Sequence, residues 1–458
     1  MKPTLLQSCT TFLISAAAAY PSVACEASRV VTKDVTVIGG GASGAYAAIQ
    51  LLDNEKSVAL IEQKPILGGH TNTYTDPSTN QTIDYGVHQW NDMPVVTEFF
   101  DRLAVPYTKA YVPSPGEIVD FDFHHGGPSN RSLPNATVSV YADVVEKYDF
   151  LQYGTELPHP VPEDIYRPFG DFVQKYGLEG YVPSLWNGQG DILHMPALYI
   201  MKDVGPAVLK SMKTNFIYTK NQNNYEIFQN AGSILRQDSL FLSSAVSELK
   251  RDDSGVSICL DTPQGRTLLH SSKVLITIPP LLDNMKGFDL TQEERAVFAQ
   301  FTAVGYYVAL VSIPDLPVTT FMYRNIAPDT LYGQPTLPAL YRLTRIETSD
   351  LFIAEYGSLH PLSEEAVRVS IFHSIHKLRR AEGALSHREA SILAYDSHTP
   401  YHLHVPGDAI RDGFYTSLYA LQGQRNTFYS GAAFHAHDSA LLWRFTGNIV
   451  RVLVGDLH

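Results

Sequence analysis

A run of glycines at the end of a short β-branched stretch constrains this chain more than any other feature. Asp34-Val35-Thr36-Val37-Ile38 leads directly into Gly39-Gly40-Gly41-Ala42-Ser43-Gly44, which fits G-x-G-x-x-G. The first glycine of that pattern makes a tight turn, the second lets a pyrophosphate approach the backbone, and the third lets a helix pack closely on a strand. The small residues from Ala42 to Leu52 predict the helix, and Ser57 to Ile61 predicts a second strand. Strand, helix and strand in about thirty residues is a right-handed βαβ unit. Glu62 closes the second strand, about 20 residues beyond the glycines, where a carboxylate accepts hydrogen bonds from adenosine ribose hydroxyls. Helix N-terminal N–H groups and the helix dipole would hold the pyrophosphate. These features in register point to a dinucleotide.

Further along, the texture changes. Asp252-Asp253-Ser254-Gly255 and Thr262-Pro263-Gln264-Gly265 break the region from about Ser243 to Ile278 into a small antiparallel meander. It ends in the apolar run Lys273 to Ile278, which stops at Pro279-Pro280. Thr427 to Ser430 reads as a strand leading to Gly431, and Ser439 to Leu453 as a helix with Leu441, Leu442, Phe445 and Ile449 on one face. The chain therefore returns to its first domain. The intervening parts are richer in Pro, Tyr and His and form a substrate domain.

After Glu62 come Leu67-Gly68-Gly69-His70-Thr71 and Ile83-Asp84-Tyr85-Gly86-Val87-His88. With these segments the chain resembles the FAD-dependent amine oxidase superfamily, and most of all its branch of flavin oxidoreductases related to beta-cyclopiazonate dehydrogenase. The resemblance implies an α/β fold: a Rossmann-like FAD-binding domain of the three-segment, glutathione-reductase or amine-oxidase type, with an intercalated α+β substrate domain. On this reading residues 1–24 are a signal peptide; 29–128, 236–285 and 426–458 form the FAD-binding domain; and 129–235 and 286–425 form the substrate domain. It implies FAD held by Gly39, Gly41, Ala42, Ser43, Gly44, Glu62, Gly69, His70, Val246, Gly431, Asp438 and Ser439. Val246 would meet the adenine through its backbone. The helix near Asp438-Ser439 would point its positive end at the flavin and favour the reduced state.

Family amine oxidases often place a lysine beside the flavin; by alignment Tyr306 stands there in this chain. His88, Tyr306 and His435 are the candidate catalytic residues, the histidines as bases. The cysteine that attaches flavin in some relatives has no counterpart near Gly431, where the chain reads Ala432-Ala433-Phe434-His435. HExxH and CxxC spacings are absent, so no metal is expected.

Composition bounds the partners. Lys+Arg number 34 against Asp+Glu 47, a net charge of −13, and the scattered basic residues form no patch that could follow a phosphate backbone. Nucleic acid is not an expected partner. The substrate is expected to be a small apolar or aromatic molecule, since aromatics make up 11% of the chain.

The N-terminus has Lys2, an apolar stretch from Thr11 to Ala19, and Ser22-Val23-Ala24. This is the layout of a secretory leader cut after Ala24 or Ala19, too short for a lasting membrane span. Asn80, Asn130 and Asn135 are then glycosylation acceptors in the secretory pathway. Cys25 and Cys259 remain in the mature chain and are free to pair or not.

The reaction expected is FAD-dependent oxidation of a C–N or C–C bond of an apolar metabolite, such as one of secondary metabolism. The residues alone leave open a flavin monooxygenase using NADPH, a prenylcysteine-oxidase-like enzyme, and a flavin-binding carrier without catalysis.

Overall fold

The computed structural model describes residues 20–110, 116–131, 138–185, 190–235, 238–347, 349–384 and 387–457. The apolar stretch of the leader and Asn135 lie outside them. The first sheet has strands Leu240–Phe241, Val58–Ile61, Arg29–Ile38 and Gly265–Ile276 side by side, all parallel. Its parallel strands are apolar and buried on both faces, as helix-covered strands must be: Val35, Val37, Leu60 and Leu275 are fully enclosed.

Strand Gly265–Ile276 serves two neighbourhoods. Its first half closes an antiparallel meander with Ala245–Asp252 and Gly255–Thr262, while Val274, Leu275 and Ile276 pair with Thr427–Tyr429. Helix Ala42–Asp53 and the closing helix Ser439–Gly455 pack together on this sheet, with the Trp443 indole donating to the Ala42 carbonyl at 3.1 Å.

The second sheet contains Thr302–Ser312, Leu351–Ser358, Ala339–Arg345, Thr320–Asn325 and Ser391–Ser397. Alternation divides its side chains. Tyr307, Ala309 and Val311 face helix Glu364–Ala381, while Tyr306, Val308 and Leu310 turn towards the cofactor domain.

Two segments depart from the boundaries drawn on sequence. Strand Glu117–Asp122, within the expected FAD-binding segment 29–128, pairs in parallel with Thr320–Asn325 in the second sheet. Conversely, strand Phe216–Thr219 pairs with Trp90–Asn91 and Tyr107–Ala110, and helix Tyr225–Ile234 buries Ile227, Phe228 and Ala231 in the cofactor-domain core. The boundaries followed changes in composition, whereas pairing between segments so far apart in sequence leaves no mark in either one.

Cys25 and Cys259 form a disulfide with a Cα separation of 5.6 Å, tying the N-terminal segment to the middle of the meander. Tyr20 stacks on His270 with centroids 4.6 Å apart. Deeper, Arg251 joins the meander to the last strand. Its guanidinium, with no exposed side-chain surface, meets Asp289 and Glu294 at 2.8 Å and reaches Thr427 at 3.1 Å. Glu294 also completes the capping box with Thr291 at the start of helix Gln292–Phe298. Removing one member would strand a buried charge, a loss of about 3–5 kcal/mol.

Among the described residues no helix is long and apolar enough to cross a membrane. Nor, among them, does any group of three or more His, Cys, Asp or Glu side chains stand ready to hold a metal ion.

Candidate active site

The glycine loop is closed to side chains at Gly39 and Gly44 and open at Gly41. A Cβ on Gly44 would lie 1.8 Å from the Gly39 carbonyl oxygen, and one on Gly39, whose φ is +107°, would lie 2.7 Å from Thr277 Oγ1. Gly41 is different: only Gly69 Cα, at 3.6 Å, comes within reach of its Cβ position. Helix Ala42–Asp53 begins there with no side-chain cap and no acid in its first turn. Its end N–H groups are therefore available to an anion. The Gly68-Gly69 turn is bonded onto this loop, Gly68 N–H donating to the Gly40 carbonyl at 2.9 Å.

Glu62 is held ready beside it. One carboxylate oxygen accepts from Gly40 N–H and the other from Lys64 N–H, both at 2.7 Å, which leaves lone pairs on each for ribose hydroxyls. Gly431 closes the far side with φ +106°, its Cβ position 3.0 Å from the Thr277 carbonyl. Val246 lies half-buried where the meander register shifts between Val246 and Glu248. An open glycine cradle, a bare helix end and an oriented acid fit a dinucleotide such as FAD.

The closing helix carries a cap of its own. Its N-terminus is not bare: the Asp438 carboxylate accepts from Leu441 N–H at 2.9 Å, and Asn91 donates to the other oxygen at 2.6 Å. Burial raises the Asp438 carboxyl to about 6, against the pull of the backbone N–H groups. The dipole at this end thus already meets a side-chain carboxyl group.

The exposure of a group of side chains set deep in the protein points to an interior hollow between the two domains. His88 is exposed by surface area yet enclosed by protein, and His70, Tyr401, His437 and Arg342 are half-buried in the same way. Accessible side chains deep within the protein line interior space, where a ligand can meet them. His70 stacks on His398 with centroids 4.3 Å apart, Tyr401 covers His437 at 3.9 Å, and Tyr306 meets Tyr401 at 4.8 Å.

Burial lowers His70 to about 4, and lowers His88, His398 and His437 as well. Near neutral pH these rings are uncharged, able to accept a proton and unable to supply one. His398 is fixed in one tautomer. Asn72 gives its amide to Asp396 at 2.8 Å, so its oxygen accepts from His398 Nε2 at 2.7 Å.

Tyr306 is committed on the opposite wall. Its hydroxyl donates to Glu355 Oε1 at 2.7 Å, and Arg342 grips the same carboxylate through Nε and Nη2. Burial and the neighbouring Glu355 push the phenol well above its ordinary range. Burial opposes the charge on Glu355, but Arg342 and Tyr306 hold it ionised.

His435 stands apart from this group. Its Nε2 donates to the Gln152 carbonyl at 2.8 Å, and its Nδ1 is buried without a partner. His402, paired through Nε2 with Asp203 at 2.8 Å, also has a buried Nδ1 without a partner. Both histidines line one cavity of about 10 Å³ with Tyr199 and Lys202, about the room one water needs.

Of the sequence candidates, the structure brings His70, His88 and Tyr306 around the hollow and sets Gly39, Gly41, Ala42, Ser43, Gly44, Glu62 and Gly69 around the nucleotide loop. Sequence reasoning missed Arg342, Glu355, His398 and Tyr401. The run from His398 to His404, with four polar aromatic rings, was a visible signal; the Arg342–Glu355 pair gave none.

Residues 37–103 match the family described as NAD(P)-binding Rossmann-like domain. The chain is 36% identical to the FAD-dependent oxidoreductase oblC of Cochliobolus heterostrophus, with 91% of this chain and 90% of that protein covered. It is 33% identical to the FAD-dependent oxidoreductase dbaF of Emericella nidulans, with 97% of each covered. Beta-cyclopiazonate dehydrogenase of Aspergillus oryzae is 31% identical, with 93% and 94% covered. Among solved structures, a fatty acid isomerase from P. acnes that produces CLA superposes with a TM-score of 0.70 at 18% identity, covering 92% of this chain and 98% of that one. Putrescine oxidase bound to putrescine gives 0.65 at 16% identity, covering 93% and 99%. These two likenesses concern the fold.

Proposed function

We propose a reaction from the premise that the chain belongs to the family of FAD-dependent oxidoreductases: it oxidises a C–N or C–C bond of an apolar or aromatic metabolite. FAD would be held by the Gly39–Gly44 loop, Glu62, Gly69, His70, Val246, Gly431, Asp438 and Ser439. When bound, it supplies a two-electron acceptor. The observation that carries the reading is the cluster of uncharged imidazole and phenol rings that begins at His70, next to the Gly69 turn against the glycine loop.

Such walls hold a flat substrate by packing and exclude water, and positioning of this kind is a large part of catalysis. His88 is the base: accessible and uncharged, it accepts the proton the substrate gives up. Tyr306 positions the substrate ring and, committed to Glu355, does not exchange its proton. The relation to a beta-cyclopiazonate dehydrogenase supports a secondary metabolite as substrate.

The test is anaerobic mixing of the yellow holoenzyme with candidate metabolites. The flavin should bleach with an organic donor alone, and His88→Ala should slow bleaching about 10²–10⁴-fold, the usual contribution of a positioned base. A flavin that bleaches only with NADPH would replace this reading with a monooxygenase.

We also propose that the leader directs the chain to the secretory pathway. The Cys25–Cys259 bond suits an oxidising compartment, and Asn80 and Asn130 are exposed acceptors. Protein made in a secretory host should lack the leader and lose mass on deglycosylation; an intact leader and an unchanged mass would refute this.

A further inference from the structure

We propose that Arg342 determines substrate choice by holding an acidic oxygen of the substrate, a carboxylate or an enolate, with the outer edge of its guanidinium. The inference rests on the reading of the hollow as the substrate site.

The geometry of the pair makes this edge the face the hollow sees. Glu355 has 8% of its side-chain surface exposed against 27% for Arg342. Both carboxylate oxygens are already taken, by Arg342 Nε and Nη2 and by the Tyr306 hydroxyl. The carboxylate is thus turned inward and engaged at both oxygens. Nη1 of Arg342 bonds to no described residue, and it is not among the buried unpartnered atoms, so it reaches the accessible surface.

What the hollow meets here is a guanidinium edge with donors only. Its planar N–H groups match the paired oxygens of a carboxylate or a delocalised enolate. A neutral ketone or amide accepts the same bond without the charge and is held less tightly. The neighbouring imidazole of His88 is uncharged and does not compete for the anion.

Arg342 and Glu355 face each other on adjacent strands, Ala339–Arg345 and Leu351–Ser358. The guanidinium is fixed before any ligand arrives, so little ordering is lost on binding.

The experiment titrates the holoenzyme with four probes and follows the perturbation of the flavin absorption band. Benzoate represents a carboxylate and 1,3-cyclohexanedione an enolate; benzamide and 2-cyclohexenone are their neutral counterparts. At least one acid should bind about 10- to 150-fold more tightly than its neutral counterpart, the range for hydrogen bonds to charged groups. Which acid shows the preference tells the two oxygen sources apart.

Because a lone Arg342 variant would leave Glu355 uncompensated, the test variant is the charge-neutral pair Arg342→Gln with Glu355→Gln, with Arg342→Lys beside it. The double variant should keep its flavin and lose the preference; Arg342→Lys should keep part of it. Equal binding of acids and neutral probes, silence from both acids up to their solubility limits, or an unchanged preference in the double variant would each overturn the proposal. The readout needs no turnover. If no donor bleaches the flavin while the acids still bind through Arg342, the proposed reaction fails and this inference stands.

Discussion

At the scale of single residues, the burial of charge sets how the protein answers to pH. Asp84, in the Asp84-Tyr85-Gly86 segment, is raised from 3.8 to about 7 by burial, against hydrogen bonds from Thr73 and Asn224. Its folded value lies above its unfolded one, so the folded protein binds more protons across that interval and loses stability as pH rises from about 4 to 7. Replacing Asp84 by Asn removes this dependence. Urea melts of both proteins should show the variant gaining on the wild type with rising pH, by at most about 4 kcal/mol in total; parallel profiles would sink the assignment. The glycines of the nucleotide loop were legible because their constraint is local: a turn, a close approach and a helix start, all within six residues. Arg342 and Glu355 were not, since neither carries a mark of the other, and only the strand register makes them partners.

At the scale of elements, helix ends repay attention. Helix Ala42–Asp53 starts uncapped where an anion is to sit, whereas helix Ser439–Gly455 starts with the carboxylate of Asp438 on Leu441 N–H. Losing a cap of this kind costs about 0.5–2 kcal/mol. Asp438→Ala should lower the stability of the protein by that much in thermal unfolding, and Asp438→Asn, which still offers an oxygen, should cost little. Equal losses would assign the effect to the bond from Asn91. The existence and type of the elements around the cofactor were readable from the apolar runs and their turns. The direction of a capping side chain was not, because Asp438 could have turned outward with the same sequence. The second sheet was expected only as part of an α+β domain. Its order depends on the pairing of Glu117–Asp122 with Thr320–Asn325, which no local pattern records.

At the scale of the whole molecule, the two domains are interlaced, so neither is a contiguous stretch of chain. The segments proposed to hold the cofactor, the glycine loop near the N-terminus, the meander in the middle and Gly431 near the C-terminus, all come together on strand Gly265–Ile276. That shared strand has a consequence for how the protein is made. Synthesis runs from the amino end, and domains fold as units while the chain emerges. The first strand gains Val58–Ile61 on one side early but must wait without its other neighbour until Gly265–Ile276 has been made, and even then Thr427–Tyr429 and the closing helix are still missing. The shared sheet is therefore complete only once Thr427–Tyr429 has been made, so the last part of the chain to appear closes the fold that the first part began.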